Sequence, residues 1–166
     1  MIFRQLFDYE TWTYTYLLAD PVTKEALLID TVKEQAERDI SLLTELGLKL
    51  KYILETHVHA DHITAAATLR SRTGAKIALS AEAGVRCADL PLKDGDEISL
   101  GALRIRCIAT PGHTMSCMSY LCEGRVFTGD TLFVRDAGRT DFQQGSSEKM
   151  YDSITRKLFS LPEETL

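Results

Sequence analysis

The sequence predicts an α/β domain. Short strand-like runs recur along the chain and are separated by two or three stretches of helical periodicity. Gly and Asp-Pro punctuate the joints. A third observation says where that domain does its chemistry. Three of the chain's four histidines fall in Thr56-His57-Val58-His59-Ala60-Asp61-His62, at a junction between a strand-like and a helix-like segment.

In order, Ile2 to Phe7, Thr13 to Leu18 and Ala26 to Ile29 read as strands, with Asp20-Pro21 opening the turn between the last two. Lys33 to Leu46 carries Ala36, Ile40, Leu43 and Leu46 at helical spacing, and Gly47 ends it. Tyr52 to Glu55 is a short buried strand feeding the histidine cluster. Ile63 to Arg72 is an Ala-rich helix stopped by Gly74. Lys76 to Leu79 is a strand, Leu92 to Gly95 a polar turn, and Glu97 to Leu100, Leu103 to Ile108, Met118 to Cys122 and Arg125 to Thr128 are further strands. Ser147 to Phe159 is a closing amphipathic helix with Met150, Ile154, Leu158 and Tyr151 inward. No linker, repeat or low-complexity tract interrupts 1–166, which reads as one domain large enough for a real core.

Composition narrows the class. An apolar fraction of 45% and a charged fraction of 26% are ordinary globular values. The net charge of −5, with no Lys/Arg stripe, argues against a nucleic-acid partner. No apolar run approaches the ~20 residues of a membrane span. The chain opens directly on a strand-like run, with no signal or transit peptide in view. Cys87, Cys107, Cys117 and Cys122 lack CxxC spacing and read as buried or half-buried free thiols in a reducing compartment. That compartment is expected to be the cytoplasm, or the mitochondrial matrix in a eukaryote.

The His-x-His-x-Asp-His cluster concentrates costly polar groups that a metal would satisfy. Imidazole with carboxylate suits zinc, iron, manganese or nickel. In an extended segment His57 and His59 project to one side. Asp61 is placed to cap the following helix with one oxygen near the pocket, and His62 to begin its first turn. A lone histidine would read as a surface or core residue; four such groups in six positions outweigh that. Two more candidates follow at strand ends: His113 in Thr110-Pro111-Gly112-His113-Thr114, and Asp130 in Phe127-Thr128-Gly129-Asp130-Thr131.

In this order the motifs resemble the metallo-β-lactamase superfamily, which implies an αββα sandwich. Superfamily members continue past the final helix into another strand and a further metal-binding histidine. The resemblance therefore implies that the carboxy-terminal part is missing. The run Gly129-Asp130-Thr131-Leu132-Phe133-Val134-Arg135-Asp136-Ala137-Gly138-Arg139-Thr140-Asp141-Phe142-Gln143-Gln144-Gly145 is more specific. It resembles the persulfide dioxygenase (ethylmalonic-encephalopathy protein-like) branch, with further likeness in Phe3-Arg4-Gln5-Leu6-Phe7 and Thr15-Tyr16-Leu17-Leu18.

That resemblance implies one Fe(II) per chain, held by His57, His113 and Asp130, and oxidation of glutathione persulfide by O2 to sulfite and glutathione. His59, Asp61 and His62 would orient ligands and water around the metal, with Asp61 and Arg139 as catalytic candidates. Arg139 would meet a substrate carboxylate or the anionic sulfur, a structural pair with Asp141 or Asp136 being the equally weighted reading. Thr114 would hydrogen-bond near the substrate. Two other readings stand beside it: a glyoxalase II-type thioester hydrolase with zinc or mixed metals, and a non-enzymatic metal- or thiol-binding module. Oligomeric state stays open, because many relatives are homodimers and no interface is legible in the residues.

Overall fold

A computed structural model describes residues 1–166. Two sheets face each other. The first has six strands in the order β1-β2-β3-β4-β5-β6: β1 (Ile2–Asp8), β2 (Thr13–Ala19), β3 (Glu25–Ile29), β4 (Lys49–Leu54), β5 (Lys76–Ser80) and β6 (Leu90–Leu92). The second is β10-β9-β8-β7, built from β7 (Glu97–Leu100), β8 (Leu103–Ala109), β9 (Met118–Cys122) and β10 (Arg125–Phe127). β1, β2 and β3 pair antiparallel through short turns, while β3, β4, β5 and β6 run parallel. Parallel pairing needs crossovers, and helices α1 (Ala36–Glu45) and α2 (Ala66–Thr73) supply the first two.

Alternation along the strands divides the core. Leu18, Leu27, Ile29 and Leu54 point between the sheets toward Ile105, Met118, Tyr120 and Phe127. Their neighbours Leu17, Leu28 and Ile53 point the other way, onto Leu43 of α1 and Leu69 of α2. Buried on both faces, the central strands read as unbroken apolar runs. The outer face of the second sheet carries exposed Glu97, Ser99, Arg104 and Arg106. Helix α3 (Ser147–Asp152) and the π-helical turn Ser153–Leu158 lie at its end, where Ser153 Oγ donates to Pro111 O at 2.7 Å and Lys157 Nζ to Ala109 O at 2.7 Å.

Several expectations need correction. Helix α2 begins at Ala66, not Ile63, and Ala65 rather than Asp61 precedes its first turn, with no side-chain cap. The intervening residues form the turn that aims the histidines. Leu90–Leu92 is a strand that Pro91 concealed; proline lacks the ladder donor and is tolerated because β6 is an edge. The last helix widens into a π turn after Asp152, and Tyr151 faces solvent while Ser153 is buried. Ile40 and Leu46 are only half-buried, and α1 instead buries Asp39, whose carboxylate pairs with Arg38 at 2.9 Å. All four cysteines are free, but Cys87 is exposed.

Candidate metal centre

The parallel strands β3 and β4 end side by side, and the centre grows from their carboxyl ends. Asp30 follows β3 in a left-handed conformation (φ 52°) that directs its carboxylate beneath the next loop. Asp30 Oδ1 accepts from the Thr56 backbone N–H at 2.7 Å and Oδ2 from Thr56 Oγ1 at 2.8 Å. With its hydroxyl proton spent on Asp30, Thr56 Oγ1 accepts from His57 Nδ1 at 3.0 Å. His57 is thereby held in the tautomer whose Nε2 lone pair is free.

His113 reaches the same point from the loop after β8. Its Nδ1 donates to the backbone carbonyl of Arg139 at 2.8 Å, which again leaves Nε2 as the ligand atom. That Nε2 lies 3.5 Å from Asp130 Oδ2. Potential ligand atoms of His57, His113 and Asp130 all lie within 4.8 Å of one another. Two donors each about 2.1 Å from one ion stand roughly 3 to 3.5 Å apart at octahedral or tetrahedral angles. The spacing and the two pre-set lone pairs therefore fit a single divalent metal.

The electrostatics agree. Burial, reinforced by the charge of His59, pushes the His57 imidazole down to about 3, so it is neutral at physiological pH. Burial raises the Asp130 carboxyl, with His113 pulling the other way. A cation between them would reverse that upward shift and satisfy both residues.

His59 packs its ring 4.1 Å from that of His57 but turns Nε2 toward two acids. Its Nε2 donates to Asp30 Oδ1 at 3.2 Å and lies 3.4 Å from Glu55 Oε2, which is close enough for charge attraction but makes no formed hydrogen bond. Burial disfavours its charge, yet Asp30 and Glu55 together raise it well above the ordinary histidine value. Burial likewise opposes the charge on Asp30, but His59 holds that carboxyl below its usual range, whereas burial wins at Glu55 and raises it. Glu55 Oε1 is also bonded to Thr64 Oγ1. His59 thus works as a cationic prop beneath the metal-facing loop.

His59, Asp61 and His62 form a second group with ligand atoms within 4.8 Å of one another. Asp61 Oδ1 is 3.3 Å from His62 Nδ1 and 3.9 Å from His59 Nδ1, and the buried His62 Nε2 has no partner.

Two expected substrate groups point elsewhere. Arg139 makes a bidentate pair with Asp141, Nε to Oδ1 at 2.8 Å and Nη2 to Oδ2 at 3.0 Å, and its side chain is 64% exposed. Its carbonyl, not its guanidinium, touches the centre. Thr114 is buried, with Oγ1 at 3.2 Å from both Ser116 Oγ and Cys117 Sγ. Sequence reasoning missed Asp30, Glu55 and the glycine contacts. A Cβ on Gly129 would collide with Thr56 Oγ1, and one on Gly138 with the Asp130 carbonyl oxygen. Asp130 is seated by these backbone approaches. The acid at a strand end opposite a His-rich turn was the available signal for Asp30.

A parallel-strand edge carrying His-x-His-x-Asp-His, completed by one histidine and one aspartate from later strand ends, defines the class. The chain belongs to the metallo-β-lactamase superfamily, whose model matches residues 13–166. Within it, the chain is 46% identical over 165 residues to the mitochondrial persulfide dioxygenase ETHE1 of Bos taurus, covering 98% of this chain and 65% of that protein. It thus spans about two thirds of the length of that curated relative. The crystal structure of ETHE1 from Myxococcus xanthus superposes with a TM-score of 0.97 at 54% identity, over 99% of this chain and 73% of that one. A probable metallo-hydrolase of Burkholderia pseudomallei is 38% identical over 201 residues, with 96% of this chain and 68% of that protein covered.

Proposed function

We propose that this chain carries the catalytic centre of a mononuclear iron persulfide dioxygenase, with glutathione persulfide and O2 as substrates. The reaction consumes one persulfide, one O2 and one water, and yields glutathione, sulfite and two protons. The four-electron oxidation of the outer sulfur matches the four-electron reduction of O2. One observation carries the reading: two imidazoles, each with Nε2 freed by a hydrogen bond at Nδ1, converge with one carboxylate. Two histidines and a carboxylate are the donor set of non-haem Fe(II) oxygenases. The likeness to persulfide dioxygenases supports the same choice.

His57, His113 and Asp130 would hold the iron. Fe(II) would supply open positions and electrons for bringing the persulfide sulfur and O2 together. The residues around it have separable tasks. Thr56 and the Arg139 carbonyl keep both imidazoles in the ligating tautomer. Asp61, exposed beside His62 and lining the same cavity as Asp130, can take a proton from water. Asp30 and Glu55 flank His59 Nε2 and fix the orientation of its ring. The four free thiols fit a reducing compartment, proposed as cytoplasm or mitochondrial matrix. No helix is long and apolar enough to cross a membrane.

Anaerobic metal analysis followed by O2 uptake with glutathione persulfide tests the reading. About one iron per chain with persulfide-dependent uptake is the expected result; iron with no uptake overturns it. The second reading, a glyoxalase II-type thioester hydrolase, is favoured by the His59–Asp61–His62 group and the orphaned His62 Nε2. Two metals per chain and loss of thioester absorbance would establish that instead.

A further inference from the structure

The run Thr140-Asp141-Phe142-Gln143-Gln144-Gly145 carries much of the likeness to the persulfide dioxygenase branch, yet none of its residues is a candidate metal ligand. In the fold it is a loop closed on itself. Gly145 N–H donates to Phe142 O at 2.8 Å, and Thr140 Oγ1 and Ser147 Oγ are 2.6 Å apart. Gly145 lies against the Thr140 peptide, where a Cβ would meet the Thr140 carbonyl oxygen. Helix α3 fixes the far end: Ser146 Oγ accepts from Lys149 N–H at 3.3 Å, and Ser146 O from Met150 N–H at 2.9 Å.

The two ends of this loop grip the segment that presents His113. Arg139 O accepts from His113 Nδ1 at 2.8 Å, and Ser146 N–H donates to Gly112 O at 2.8 Å. The imidazole and the peptide that precedes it are thus held from opposite ends of one loop. At the apex, Gln143 Nε2 donates to Val58 O at 3.4 Å, and Val58 stands between His57 and His59. The loop therefore touches both histidine-bearing segments of the centre. Its apex is strained: Gln143 (φ 47°) and Gln144 (φ 61°) are consecutive left-handed residues, a conformation costly to any side chain. Gln143 Oε1 is also buried without a partner. Such backbone persists only where its surroundings over-determine it, and a plain connection from Asp130 to α3 has no use for it.

We infer that the loop 139–146 is a clamp that sets the ring of His113 for metal, with Gly145 and Gln143 as its positioning residues. The inference rests on the reading of His113 as a ligand and is independent of which metal and substrate the centre takes. Gly145 lets the loop close, so that the Arg139 carbonyl meets Nδ1 and Nε2 is left to face Asp130. Gln143 ties the His113 side of the centre to the His57 side. Both act through the ligands and not by touching substrate.

Two readouts test the clamp. Long-range proton–nitrogen correlation spectra of the metal-free protein report the tautomer of His113, and titration with Co(II) reports affinity and, through its visible bands, the ligand field. The parent protein should show His113 protonated at Nδ1 and saturable Co(II) binding. Gly145→Ala should open the loop, giving a mixture of His113 tautomers, shifted Co(II) bands and an affinity lower by about 10-fold. Gln143→Ala introduces no clash. It should keep the tautomer and weaken Co(II) binding by about two- to fivefold, the loss of one long hydrogen bond.

A Gly145→Ala protein that loses stability but keeps the parental tautomer and Co(II) affinity overturns the clamp, because its loop is then merely structural. Should that variant not fold, Gln143→Ala decides, and parental Co(II) affinity and bands overturn the clamp. A raised KM for glutathione persulfide at parental Co(II) affinity also overturns it, since the loop then meets the substrate. A parent protein that takes up no Co(II) overturns the metal reading and the clamp together; Co(II) uptake with unchanged variants overturns the clamp alone.

Discussion

The two sides of the candidate metal site are built by different means. His57 stands on the ends of two parallel core strands, and its support is side chain to side chain: Asp30, Thr56, His59 and Glu55, all withdrawn from solvent. His113 stands on a loop and Asp130 in the short 3-10 turn Gly129–Thr131, and their support is backbone: the Arg139 carbonyl, Gly138 under the Asp130 peptide, and Gly112 against Met150. A buried charged network is costly to break, whereas close backbone packing is costly to widen. The first side should therefore fail by unfolding and the second by loosening its grip on metal.

Asp30→Ala gives the largest expected effect. It leaves the imidazolium of His59 buried beside Glu55 and frees the Thr56 donors, a loss of about 3 to 5 kcal/mol by analogy with other broken buried pairs. Urea denaturation reads it, and a loss below about 1 kcal/mol would erase the contrast between the two sides. Gly138→Ala comes next. The added Cβ forces the Asp130 peptide away, so iron affinity should fall by about 10- to 100-fold while stability falls by about 1 to 3 kcal/mol. Metal titration beside a denaturation curve separates the two effects.

Acid titration sharpens the same point in the metal-free protein. His57 is neutral in the fold down to about 3 but takes a proton near 6.5 when unfolded. The unfolded state binds more protons in that window, so stability should fall as pH drops from about 6.5 toward 3, by at most about 1.4 kcal/mol per pH unit. His59 has the opposite sign: its raised value contributes stability that is present below about 6.5 and lost as pH rises through the folded value. A stability profile with no acid slope would remove His57 as the buried neutral ligand.

Arg139→Ala is the smallest. The guanidinium is exposed and paired with Asp141, and the contact with His113 is made by a carbonyl that any residue supplies. Iron content should be unchanged and stability should move by less than about 1 kcal/mol. An unchanged KM for glutathione persulfide would leave the side chain structural; a raised KM at constant iron content would assign it to the substrate.

How much of this was legible in the residues differs between the same two sides. Strand alternation and glycine stops located nine of the ten strands and two of the three helices closely, because apolar periodicity is a local property. Helix α2 began three residues late, since the polar turn 61–65 serves the histidines and not the helix. His57, His113 and Asp130 were readable as candidates because metal ligands are particular residue types, and here they stand at strand ends. By themselves, then, the residues determined the layered α/β class and the order of the candidate ligands along the chain. The tertiary structure alone decided which acid braces His59, which carbonyl fixes the His113 tautomer and which glycines admit Asp130. Carbonyls, missing Cβ atoms and partners scores of residues away leave no local pattern, and only packing brings them together.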